Sequence, residues 1–111
     1  MVYDEDLADR LRVALQDVGD VTEKKMFGGL AFMVGGHMAV GPSGQGGLLV
    51  RCDPAETDEH ASSDGVSRMV MRGKEMNGWL RVEDVVVTTD LQLLHWVDVG
   101  VGYASALPPK G

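Results

Sequence analysis

The run from Lys24 to Gly36, Lys-Lys-Met-Phe-Gly-Gly-Leu-Ala-Phe-Met-Val-Gly-Gly, limits what this chain can fold into more than any other stretch. Leu30, Phe32 and Val34 alternate with Ala31 and Met33, the two-residue period of a β-strand. Gly28-Gly29 interrupts that run. A glycine pair inside a strand pattern marks a bulge or a close backbone approach, because glycine accepts positive φ without steric cost. Gly35-Gly36 fits a two-residue hairpin turn that returns the chain through His37-Met38-Ala39-Val40.

Reading outward from that hairpin, Leu7, Leu11, Ala14, Leu15 and Val18 predict a helix from Asp4 to about Val18, with Asp4 as N-cap and Gly19 as terminator. Asp20 to Glu23 reads as a connection. Downstream, Gly41 to Gly47 has loop composition and Leu48 to Cys52 reads as a third strand, after which Asp53-Pro54 opens a short acidic helix to about Ala61. Val66 to Arg72 reads as a fourth strand, Gly73 to Gly78 as a turn and Trp79 to Val82 as a fifth strand. Val85-Val86-Val87 is apolar enough to stay against the core. Asp90 caps a last helix to about Leu107, burying Leu91, Leu94, Val97, Val101 and Ala104, and Pro108-Pro109 stops it. The order α-β-β-β-α-β-β-α predicts an α+β fold of two layers, a five-stranded antiparallel sheet with helices on one face. Residues 1–111 have the length of one domain with one such core.

Alternation also assigns faces. Met69, Met71, Leu80 and Val82 form an apolar set expected under the helices with Leu30, Phe32, Val34, Leu48 and Val50. The opposite set holds Arg51, Arg68, Arg72 and Arg81 with Met33, Leu49, Val70 and Trp79. Arginine beside exposed apolar and aromatic surface is the composition of partner interfaces. This face is therefore the expected docking site for a protein partner or a second copy, against the plainer reading of a solvated sheet face covered by arginine stems.

The net charge of −7 disfavours direct binding to a phosphate backbone by the chain alone. No apolar run approaches the roughly 18–20 residues that cross a bilayer. Met1-Val2-Tyr3 leads straight into Asp4-Glu5-Asp6, so no secretory signal is expected, and the lone Cys52 agrees with a reducing compartment. The expected location is the cytoplasm.

Candidate chemistry is sparse. His37, His60, His95 and Cys52 have no zinc-motif spacing, and no cofactor or metal is expected. No Gly-x-Ser-x-Gly elbow occurs, and the Gly44 to Gly47 loop lacks the lysine ending of a phosphate loop. Glu56, Asp58 and Glu59 read as a solvated helix face, and Lys24-Lys25 as edge residues that discourage strand addition. No catalytic residue is expected. A small-ligand pocket between helices and sheet near Met26, Phe27 and Trp79 is the alternative to protein docking.

Three blocks in order, Lys24-Lys25-Met26-Phe27-Gly28-Gly29, then Gly47-Leu48-Leu49-Val50-Arg51, then Met71 through Gly78 to Val82, resemble the TfoX/Sxy N-terminal-domain family. Lys25, Met26, Phe27, Gly28, Gly29 and Gly78 carry the structural motif. The resemblance implies an α+β domain similar in outline to secretion-chaperone-like folds. It further implies a non-enzymatic regulator of natural competence, working with the cyclic-AMP receptor protein at competence promoters. The expected partners are a transcription regulator and a second copy in a homodimer. The full-length regulators carry a second, C-terminal domain, whereas this chain ends at Lys110-Gly111 after the last helix.

Overall fold

With Met26 paired to Gly29 and Gly28 at φ 73°, the first glycine pair closes a hairpin and does not bulge a single strand. The computed structural model describes residues 3–26 and 28–108, so Met1, Val2, Phe27, Pro109, Lys110 and Gly111 lie outside the described residues. Splitting the first strand gives β1 (Val21–Met26), β2 (Gly29–Val34), β3 (His37–Pro42), β4 (Leu48–Arg51), β5 (Val66–Met71) and β6 (Lys74–Val82). The sheet has six antiparallel strands in the order β1-β2-β3-β4-β6-β5, not five. Thr22, Glu23, Lys24 and Lys25 of β1 are exposed, which is why no apolar alternation announced the strand. An edge strand needs no second buried face, and its charges discourage further pairing. The second glycine pair behaves as expected, with Gly35 and Gly36 at φ 59° and 85° in the β2–β3 turn.

Three helices lie on one side of this sheet: α1 (Glu5–Ala14), α2 (Thr57–Ala61) and α3 (Asp90–Ala106), with single 3-10 turns at Pro54–Glu56 and Asp84–Val86. Asp4 caps α1 as expected, its carboxylate accepting from Leu7 N–H at 3.1 Å. The helix stops at Ala14 and not near Val18, and the left-handed residue that follows is Asp20 (φ 61°) where Gly19 was expected. At α3 the N-cap is Thr89 and not Asp90, because Thr89 and Gln92 complete a reciprocal capping box.

The buried stripe of α3 also departs from expectation. Leu93, Trp96, Val97, Gly100 and Ala104 face the sheet, while Leu91 is 82% exposed. A helix apolar nearly all round leaves its rotation open to local reading. Contact with β3 sets that rotation: a Cβ on Gly100 would lie 2.4 Å from the Ala39 carbonyl oxygen, so only glycine lets the helix sit this close. Leu7, Leu11, Phe32, Val40, Leu48, Val50, Leu80 and Val82 complete the core between helices and sheet.

Candidate functional site

Residues directly opposite in an antiparallel ladder share a face. Val50 opposite Leu80 and Val66 opposite Val82 point to the helices, whereas Leu49 opposite Arg81, and Arg81 opposite Ser67, point away. Alternation along β5 therefore carries Met69 and Met71 to the open face, correcting their expected place under the helices. The physical reason is register: once Val66 is buried beneath the helices, every second residue after Ser67 must face outward. Between Arg68 and Met69 the β5–β6 register shifts, and Gly78 at φ 86° absorbs it, so that Met76 and Trp79 share one face although three residues apart. Thr57 supports that bulge. Its buried hydroxyl accepts from Gly78 N–H at 2.7 Å and donates to the Pro54 carbonyl at 2.9 Å.

The open face carries a second apolar cluster. Ala31, Met38, Leu49 and Met69 form its centre, and Met26, Met33, Met71 and Trp79 pack around them. Met69 is only 8% exposed and Leu49 only 4%, although all three helices lie on the other side. Met69 and Leu49 are covered by their neighbours within the same cluster. Five of the chain's seven methionines belong to this cluster, and Met76 stands opposite Met69. Methionine is unbranched and polarisable, so such a surface adapts its shape to what covers it.

The four arginines expected on this face part company. Arg81 is there, opposite Leu49, and its guanidinium donates to the Gln45 and Gly46 carbonyls of the β3–β4 loop at 3.0 and 3.1 Å. Arg51 stands at its margin, 4.9 Å from the Trp79 ring centre and 5.5 Å from that of Tyr103 on α3, within cation–π range of both. Arg72 occupies the β5–β6 turn at φ 53°, followed by Gly73 at 78°. Arg68 is turned to the helix side: it stands opposite Leu80 and pairs with Asp58 of α2, with Glu75 at 3.8 Å. Val70 shares that side of β5 and is 61% exposed. Met33, Leu49 and Trp79 keep their expected place on the open face, and Arg68 and Val70 do not.

Charge separates the two sides more sharply than hydrophobicity does. Glu23 and Glu75 are the only acidic strand residues among the described residues, and both face the helix side, opposite Phe32 and Val70. Glu23 is gripped there by Arg12 of α1 through two hydrogen bonds, 2.9 and 2.7 Å. That grip lowers the Glu23 pKa and raises that of Arg12, to which Asp9 also contributes. Arg10, Arg12 and Arg68 account for every arginine ion pair among the described residues. Lys24, Lys74 and Arg81 on the open face have no ion pair among the described residues, and neither have Arg51 and Arg72. Lys24 and Lys74 are assigned by their partners Ala31 and Met71. Lys74 and the outward Met69 and Met71 escaped the sequence reading, whereas Lys24 was expected as an edge residue and Met33 on this face. Lys25, opposite Leu30, points to the helix side.

Between the β3–β4 loop and β5 the open face deepens into a cleft of about 500 Å³, with Leu49, Met69, Met71, Arg72 and Arg81 in its walls. Arg68 also borders it. The alternative pocket near Met26 and Trp79 does not form between helices and sheet, because both residues lie on the far side; Phe27 lies outside the described residues.

The remaining chemical groups are dispersed. Cys52 is buried and its thiol pKa is raised by that burial, which holds it in the unreactive protonated form. His37 Nε2 lies 2.7 Å from the Pro108 carbonyl oxygen, His60 Nε2 3.6 Å from Glu56, and His95 packs edge-on to Trp96. Among the described residues, no His, Cys, Asp and Glu group is arranged to hold a metal ion, and no helix is long and apolar enough to cross a membrane.

No curated protein and no solved structure matches the chain significantly. A family match spans residues 13–104, from the end of α1 through nearly all of α3, and so includes the whole sheet and its open face. By that match the chain belongs to the TfoX N-terminal domain family.

Proposed function

We propose that this is a non-enzymatic adaptor domain that docks a protein on the open face of its sheet. The observation that carries the reading is one surface holding both a methionine-rich apolar cluster and cations without ion partners. Apolar surface with arginine at its margin is what protein interfaces use, and a flexible methionine floor moulds to a partner at little cost in strain. Family membership supports a regulatory setting, the transcription of competence-type genes by a partner regulator.

Self-association belongs to a different surface. Two copies of the open face would set cation against cation, an unfavourable contact for a two-fold interface. The outer edge of β5, Val-Ser-Arg-Met-Val-Met, carries one charge, Arg68, already paired with Asp58, whereas β1 at the opposite edge carries Glu23, Lys24 and Lys25. The less charged edge is the better route for a second copy to extend a sheet, so the homodimer is assigned to β5.

Photo-crosslinking in cells tests the docking face. A benzophenone side chain replacing Met71 is expected to yield a discrete adduct with a polypeptide other than a second copy of the chain, and the same group replacing the exposed helix-side Leu91 is not. Adducts equally abundant from both positions, or from Leu91 alone, would overturn the reading.

A further inference from the structure

Resting on the docking reading, we infer that the open face selects an acidic segment of its partner, anchored by a large apolar side chain in the cleft between the β3–β4 loop and β5. Charge complementarity carries the argument. The chain holds 17 acidic residues, yet no strand residue assigned to this face is acidic. Arg68 at the border of the cleft is already paired with Asp58 and Glu75, whereas Arg72 and Arg81 in its walls have no ion pair among the described residues. Arg81 spends hydrogen bonds on two neutral carbonyls, which orient its guanidinium without neutralising it. Arg72 is placed beside the same cleft by the left-handed backbone of its turn. Asp84, close by in the chain, holds the loop by accepting from Gly47 N–H.

The cleft specifies both halves of such a ligand. Leu49, Met69 and Met71 offer an apolar lining, where a leucine- or phenylalanine-sized group gains from burial. Arg72 and Arg81 then meet carboxylates flanking that anchor, with Lys74 beyond them on the same face. A nucleic acid would satisfy the cations and leave the methionine floor uncovered, while its phosphates met the field of a chain with net charge −7. A second copy of this face would bring no carboxylates.

Selection from a random twelve-residue peptide library displayed on phage tests the inference. Peptides enriched on the folded protein are expected to combine at least one large apolar side chain with several carboxylates. A synthetic enriched peptide should bind about fivefold to tenfold more weakly to the Arg72→Asn, Arg81→Gln double variant, and progressively more weakly as salt is raised, since rim charges act through screened attraction. Asparagine tolerates the positive φ of position 72, and an unchanged melting curve would show that the fold survives. A Met71→Ser variant should also weaken binding while leaving the salt dependence intact. Enrichment of neutral or basic peptides, indifference to the double variant, or binding of a labelled oligothymidine in place of peptide would each overturn the acidic assignment. The Met71 crosslink would stand in the first two cases, and its absence would instead count against the docking reading itself.

Discussion

The two faces of this sheet are built from similar amounts of apolar side chain and differ in what completes them. Under the helices, Leu80, Val82, Val50 and Phe32 are sealed by α1 and α3, and Glu23 and Arg68 of that side are ion-paired with Arg12 and Asp58 of the helices. On the other side, Met33, Met71 and Trp79 remain partly exposed, and Lys24, Lys74 and Arg81 have no ion pair among the described residues. One face is complete within the chain. The other, on the function proposed above, is completed by a partner.

The sharpest way to break that contrast is to truncate one residue on each side. Leu80→Ala should cost about 3 kcal/mol of unfolding free energy, because a fully buried leucine leaves a cavity that the sealed core cannot collapse. Met71→Ala on the open face should cost about 1 kcal/mol or less, as a partly exposed side chain loses little burial. Urea denaturation of both variants gives the comparison, and equal losses would mean that the open face is already a finished core.

A smaller effect is expected where the two faces meet. Thr57→Val keeps the shape of the side chain but strands the buried Gly78 N–H, at a cost of about 1–3 kcal/mol. If that bulge is what turns Trp79 outward, the variant should also shift the tryptophan fluorescence maximum. An unchanged spectrum with reduced stability would separate the two roles of Gly78.

The smallest effect concerns the paired charges of the helix side. The folded-state pKa of Glu23 is lowered by the Arg12 hydrogen bonds, so its contribution is present above the ordinary carboxylate value and is lost as pH falls through the lowered one. Glu23→Gln should therefore lower the melting temperature slightly at pH 7 and leave it unchanged once the carboxylate of the parent protein is protonated. Because both groups are solvent-accessible, added salt should shrink the difference. A melting temperature of the Lys24→Gln variant that moved as much as that of Glu23→Gln would argue that the open-face lysine is also paired.

Much of the candidate site was legible at the level of residue type and illegible at the level of side. Arg81, Leu49, Met33 and Trp79 keep the face that alternation assigned to them. Arg68 and Val70 exchange places with Met69 and Met71, since apolar character alone suggested that the methionines were core. A one-residue change of phase moves a whole strand to the other side, and nothing local to β5 records which phase its partner imposes.

Local sequence was enough for the Gly35-Gly36 turn, the Asp4 cap, the strands β2 to β5, the Trp79–Val82 end of β6, and the three helices with their placement on one side, whereas the Lys74–Gly78 part of β6 reads locally as a turn. Each of these follows from side-chain period or turn chemistry within a few residues. The polar edge strand β1, the start of β6, the rotation of α3 and the outward methionines came only with tertiary contacts. Those depend on ladder hydrogen bonds and on helix contacts such as Gly100 against Ala39, which join residues distant along the chain and therefore leave no local period to read.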